Sequence, residues 1–270
     1  VRFCTYRDPG ARSRPGRVEG DAVVPLESPS LLEVIGGHPA VDADGPVVPV
    51  GAAELLAPYR PPTLLGVGLN YRAHAAETGK ALPRQPLLFA KLPGAVAPPF
   101  GEIARPHYTS ELDYEGELAV VIGREARDVG AADALAHVFG YTVMNDVSAR
   151  DRQREEPQWI RAKGGDGFAP FGPWVVTADE VADPQDLRIR TWVNGELRQD
   201  GSTEDMVFSV AELVSWCSRQ FTLRPGDMIT TGTPAGVGAG YDPPRFLAPG
   251  DVVRVEIEGI GRLEHRVVRP

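Results

Sequence analysis

Apolar positions in this chain come in short runs rather than long periodic stretches. From Thr63 onward they recur as "TLLGVGL", "LLFAKL", "GELAVVIG", "VFGYTVMND", "GPWVVT", "LRIRTWVNG", "DMITTGT", "DVVRVEIEG" and "RLEHRVV". Most are short, bounded by turn residues and rich in Val, Ile, Thr and aromatics, so they predict strands. Three segments predict helices instead. "YRAHAAET" follows Asn70, an N-cap candidate, and Gly79 is placed to end it. "AADALAHV" is short and alanine-rich. "SVAELVSWCSRQ" opens with Ser209 and has Glu212 three residues on, the spacing of a capping box. The pattern is that of a mainly β (α+β) chain with a few short helices, without the regular βαβ rhythm of a doubly wound sheet.

Residues 1–58 read as a small N-terminal domain, with short apolar segments ("DAVVPL", "SLLEVIGG", "GPVVPV") punctuated by Gly and Pro. Pro61 and Pro62 block any helix at the passage into the first buried strand, so a larger domain is expected over 59–270. The 30 glycines and 26 prolines support many turns, and 42% hydrophobic with 24% charged residues is the composition of a globular protein.

A net charge of −9 without a block of Lys or Arg disfavours nucleic acid and anionic membranes as partners. No leader-like or membrane-spanning run is present, so a cytoplasmic setting is expected. Cys4 and Cys217 are far apart, and Cys217 sits in an apolar helical pattern that suits a buried free thiol. "GVGLNY" lacks the third glycine of a dinucleotide fingerprint, and "TGTPAGVGAG" lacks the Lys-Ser/Thr of a P-loop. Neither a nucleophile elbow nor a zinc helix is found.

The unusual stretch is "SELDYEGELAVVIG", with acids at Glu111, Asp113, Glu115 and Glu117. On a strand over 113–122, Glu115, Glu117, Ala119 and Val121 would face one way and Leu118, Val120 and Ile122 the other. Residues i and i+2 lie roughly 6.6 Å apart, so neighbouring carboxylates can converge on one ion. All-oxygen ligation favours Mg²⁺, Mn²⁺ or Ca²⁺. The alternative is a solvated edge strand. Asp146 ends another apolar strand and could complete a three-acid site, with Arg150 and Lys163 following as cations for an anionic ligand. His74 and Glu77, three apart, share a helix face; the carboxylate would fix the imidazole tautomer and raise its basicity. A surface His–Glu pair is the alternative there.

Taken together, "GLNYRAHAAETGK", "PLLFAKLPGAV", "LDYEGELAVVIG", "GYTVMNDVSARDRQ", "AKGGDGFAPFGPWVVT", "VNGELRQDGSTEDMVFS" and "RPGDMITTGTPAGVG" resemble the fumarylacetoacetate hydrolase superfamily over about residues 63–268. The likeness is greatest to its shorter branch of acylpyruvate hydrolases, oxaloacetate decarboxylases and hydroxymuconate isomerase/decarboxylases. It implies a mixed β-sandwich roll, usually a homodimer, with Mg²⁺ (or Mn²⁺) held by Glu115, Glu117 and Asp146. It further implies His74 and Glu77 as the water-activating pair on a lid helix and Lys163 as the group that steadies substrate charge. Arg150 and Gln153 match polar positions near that lysine, and Thr233 a position beside the substrate carboxylate. Glu111 and Asp113 match no family ligand and are expected to face solvent. One departure is "KGGDGF", where two glycines replace larger residues and are expected to loosen the loop after Lys163. The implied activity is hydrolysis of a C–C bond in an acylpyruvate, a small anionic 2-keto acid, through a pyruvate enolate. Decarboxylation, 2-hydroxymuconate-type isomerisation and a non-catalytic metal-stabilised binding protein are the alternatives.

Overall fold

The computed structural model describes residues 1–8 and 10–270. Its architecture is two large mixed sheets with a few short helices. One sheet of 12 strands has its centre at Ala169–Thr177, Val138–Asn145, Gly116–Ile122, Met228–Thr230 and Leu64–Gly68, in that spatial order. The other has five strands, in the order Glu196–Ser202, Arg188–Val193, Val252–Ile257, Gly261–Val268 and Phe100–Ala104. Each apolar run singled out from Thr63 onward contributes a strand, whereas "SLLEVIGG" in the N-terminal segment forms the short helix Leu31–Ile35. Phe100–Ala104 and Glu196–Ser202, which carry more charge and glycine, are strands that the apolar pattern does not announce.

Gly116–Ile122 is the central strand of the site and is buried along its whole length. It pairs antiparallel with Val138–Asn145, setting Gly116 opposite Asn145 and Val120 opposite Tyr141. On its other edge Ala119 lies opposite Thr230. Having neighbours on both edges and cover on both faces, it is not the solvated edge strand of the alternative reading. Leu118, Val120, Val121 and Ile122 are fully buried, each stabilising the core by roughly 1.5–3 kcal/mol relative to exposure.

Residues 1–58 extend the larger sheet. Arg2–Arg7 pairs antiparallel with Ala169–Thr177, and Ser13–Glu19, Ala22–Pro25 and Val48–Pro49 follow outward. This segment has a small cluster of its own, Cys4, Tyr6, Val23 and Leu55. Burial pushes both Cys4 and Cys217 thiols up to about 12, which suits inert core residues rather than nucleophiles. Among the described residues no helix is long and apolar enough to cross a membrane.

The helices follow local chemistry with one correction. Ser209 and Glu212 form the expected capping box of Val210–Gln220. Gly79, at φ +65°, ends the Arg72–Glu77 helix: its N–H donates to Ala76 O and that of Lys80 to Ala75 O, the paired bonds of a Schellman turn. Asn70, expected as the N-cap, does not cap. The helix starts after Tyr71, and the N–H of Ala73 donates instead to Asp205 Oδ2 at 2.9 Å. Asn70 is buried, donating from Nδ2 to Phe208 O (3.0 Å) and Thr231 O (2.8 Å) and accepting from Phe208 N at Oδ1. It thereby ties the start of the His74 helix to two distant segments. Asn70→Ala would strand these backbone groups and is expected to cost about 2–4 kcal/mol, read as a lower urea midpoint at unchanged slope.

Candidate active site: a buried carboxylate cluster facing a His–Glu pair

The chain breaks its strand where the acids lie. Leu112–Asp113 pairs with Ser148–Ala149, and Gly116 opens a different ladder. The single face expected over 113–122 is therefore interrupted at Tyr114 and Glu115. Two bonds stitch the break: Glu115 N donates to Asn145 Oδ1 (3.0 Å), and Asp146 N to Glu115 O (2.8 Å). They bring Asp146 beside Glu115, and the carboxylate oxygens of Glu115, Glu117 and Asp146 lie within 4.8 Å of one another, all buried.

Asp113 corrects the sequence reading. Expected in solvent, it is fully buried. Its Oδ1 accepts from Tyr114 N (2.9 Å) and Gly238 N (2.7 Å), and its Oδ2 from Ala239 N (3.0 Å) and Arg150 Nε (2.8 Å). Glu111 is part-exposed and pairs with Arg154 at 2.6 Å. Arg150, also buried, reaches Glu115 Oε1 with Nη2 (2.6 Å) and donates from Nη1 to Gln153 Oε1 (2.9 Å). Burial opposes its charge, but Glu115 and Asp113 outweigh burial and hold the guanidinium protonated.

Two lysines complete the cluster. Lys163 donates to Glu115 Oε2 (2.5 Å) and Asp146 Oδ2 (2.8 Å); the other Asp146 oxygen is taken by Lys91, whose side chain is fully buried. Lys91 was missed in the sequence. Its signal was a lone charge inside the apolar run "LLFAKL". Burial pushes Lys91 down despite Asp146, whereas for Lys163 the nearby Asp146 and Glu115 overcome burial and push it up.

The acids respond in opposite directions. Burial raises the Glu115 carboxyl, but Arg150 and Lys163 pull it well below the usual carboxylate range. Glu117 has no such partner. Burial, with Asp146 and Glu115 beside it, pushes it far up, against bonds from Thr230 Oγ1 and Gly232 N to its Oε2. Three converging carboxylates, all oxygen donors and one of them short of positive partners, fit a hard divalent cation.

Above the cluster lies a cavity of ≈ 360 Å³ bordered by His74, Glu77, Glu115, Glu117, Arg150, Gln153, Lys163 and Thr233. Asp146 does not border it. His74 Nδ1 is 3.1 Å from Glu77 Oε2, while Glu77 Oε1 accepts from Gly236 N at 2.8 Å. The pair thus faces the cavity rather than bulk water, and its helix is latched to the 233–240 loop. Thr233 is on the wall, but its hydroxyl donates to Gly116 O (2.9 Å) and accepts from Gln199 Nε2 (2.7 Å). Gln199, unremarked in the sequence, also accepts from Gly116 N and so pins that loop to the central strand. The glycine pair after Lys163 does not loosen its loop. A Cβ on Gly164 would fall 2.7 Å from Ile160 O, and one on Gly165 2.6 Å from Tyr108 Oη. Both are close approaches filled by neighbours.

A mixed β-roll holding a buried acidic cluster and a His–Glu pair around one cavity has the makings of a small-molecule enzyme with a cation site. The chain belongs to the fumarylacetoacetate hydrolase family: the family model for the fumarylacetoacetate (FAA) hydrolase C-terminal region matches residues 63–268. The human protein named oxaloacetate tautomerase FAHD2A, mitochondrial, is 45% identical over 232 residues, covering 85% of this chain and 74% of its own. The structure of a fumarylacetoacetate hydrolase from psychrophilic Exiguobacterium antarcticum matches with a TM-score of 0.90 at 44% identity, over 100% of this chain and 99% of that one. The 5-carboxymethyl-2-hydroxymuconate delta-isomerase from Mycobacterium smegmatis matches with a TM-score of 0.86 at 39% identity, over 100% of both chains.

Glu117 sets a pH test. Because its folded value is raised, stability is lost as pH climbs from the ordinary carboxylate range toward that value. A cation that holds Glu117 ionised recovers the loss. The rise in Tm on adding Mg²⁺ or Mn²⁺ is therefore expected to grow from mildly acidic to mildly alkaline buffer, and to lose most of that dependence in Glu117→Gln. A wild-type shift that does not change with pH would refute the assignment.

Proposed function

We propose that this protein interconverts enol and keto forms of a small 2-keto acid of the oxaloacetate class, by way of an enolate, with Mg²⁺ or Mn²⁺ as cofactor. The observation that carries the reading is the His74–Glu77 pair at 3.1 Å on the wall of the cavity that also contains Glu115, Glu117 and Lys163. The names of two relatives, an oxaloacetate tautomerase and a hydroxymuconate isomerase, support the same chemistry.

In the enol-to-keto direction the C2 hydroxyl loses a proton and C3 gains one, so the enzyme must stabilise the enolate and deliver a proton to carbon. Glu77, held by Gly236 N, favours the tautomer with the proton on Nδ1 and leaves His74 Nε2 to exchange a proton at C3. An ammonium has three donors, and Lys163 uses two on Glu115 and Asp146, so the third is available to the enolate oxygen. Gln153 spends its carbonyl oxygen on Arg150 and keeps its amide hydrogens for the substrate carboxylate. Thr233, its own proton committed to Gly116 O, shapes the wall beside that carboxylate. A divalent cation bound by Glu115, Glu117 and Asp146 supplies Lewis-acid polarisation of the 2-keto acid.

Hydrolysis of an acylpyruvate is the second reading, favoured by the same base, since His74 oriented by Glu77 could equally activate a water. The two are separated by following enol-oxaloacetate ketonisation and a panel of acylpyruvates by ultraviolet absorbance, with and without Mg²⁺ and Mn²⁺. Accelerated ketonisation is expected, with His74→Asn slowing it by about 10²–10⁴-fold while leaving cation binding intact. Cleavage of acylpyruvates with no effect on oxaloacetate would transfer the assignment to the hydrolase; turnover of neither would end both.

A further inference from the structure

The cations around the cavity are not equally engaged. Lys163 is ion-paired with Glu115 and Asp146, Arg150 with Asp113 and Glu115, and Arg154 with Glu111 at 2.6 Å. Lys80 borders the same cavity, is exposed, and makes no ion pair among the described residues. In a chain with 37 acids against 28 Lys and Arg, a cavity-lining ammonium without a carboxylate partner is available to a ligand.

Its backbone makes the position informative. Lys80 N donates to Ala75 O at 2.9 Å, the closing bond of the turn that ends the His74–Glu77 helix. Lys80 therefore belongs to the same helix–turn unit as the pair facing the cavity. The cavity also has two unlike parts. Glu115, Glu117, Lys163 and Gln153 form a polar end suited to the 2-keto acid group, while Phe89 and Trp159, with ring centroids 5.7 Å apart, form an apolar wall. That wall has little to hold a second charge, which leaves the exposed cationic rim.

We propose that Lys80 is a specificity-determining residue: its ammonium receives the distal carboxylate of a 2-keto dicarboxylate whose keto-acid end lies at the carboxylate cluster. This rests on the enolate reading above. A monocarboxylate leaves Lys80 in water at little cost, so the discrimination comes from a charge pair gained at the cavity rim rather than from a clash. Because the lysine rides on the helix of His74 and Glu77, capturing that carboxylate also holds the pair against the substrate.

The test compares ketonisation of oxaloacetate with that of acetopyruvate, which has one carboxylate, in wild type, Lys80→Met and Lys80→Arg. The ratio of kcat/KM for oxaloacetate over acetopyruvate is expected to fall about three- to fivefold in Lys80→Met and to recover in Lys80→Arg. The oxaloacetate rate should also lose salt sensitivity in Lys80→Met, because the long-range attraction is gone. An active wild type whose ratio and salt dependence survive Lys80→Met overturns the role of Lys80 alone. A wild type inactive on both substrates sinks the enolate reading itself.

Discussion

Everything at this site depends on burying four carboxylates, Asp113, Glu115, Glu117 and Asp146, in one small volume. An unpaired carboxylate there would cost several kcal/mol, so the protein interleaves the acids with three buried cations, Lys91, Arg150 and Lys163. Each cation but Lys91 bridges two acids, and Lys91 holds the other oxygen of Asp146. The count leaves one negative charge in excess, and the divergent behaviour of Glu115 and Glu117 identifies where it falls. Glu115 is saturated with positive partners; Glu117 is not. The pairing that satisfies Glu115 is thus what leaves Glu117 as the acid a cation would complete.

The rest of the fold brings these groups together and sets the His74–Glu77 pair across the cavity from them. Glu117 is on a strand buried on both faces, Asp146 follows the strand beside it, and Lys163 ends a one-turn helix. Asn70 anchors one end of the His74 helix to the Phe208 and Thr231 segments, while Glu77 fastens the other to Gly236. Gln199 in turn pins Thr233 to the central strand. The His74–Glu77 pair, the cluster and the loop are therefore coupled through single buried side chains, and a shift in any of them moves the pair relative to the carboxylates.

The strands were legible because each is a short apolar run, and runs of that kind reflect burial directly. Phe100–Ala104 and Glu196–Ser202 were not, since much of each faces water and lacks the apolar signature. Asp113 looks solvated in the sequence because nothing local announces that Arg150, 37 residues away, lies against it. Asn70 has the right identity and position for an N-cap, yet three distant backbone groups claim its side chain. Lys91 was hidden for the opposite reason: its neighbours look like core, and an isolated lysine there is interpretable only once Asp146 is beside it.

The sequence by itself determined the apolar strands, the capping box at Ser209, the end of the helix at Gly79 and, through its resemblance, the family. Each depends on local chemistry or on an ordered set of motifs. Only the tertiary structure decided that the acidic stretch splits at Tyr114 and Glu115, that Asp113 turns inward to Arg150, and that Lys91 and Lys163 divide the two oxygens of Asp146 between them. Buried charges choose partners by distance in space, and the separations that matter here are set by which strands pair, not by position along the chain.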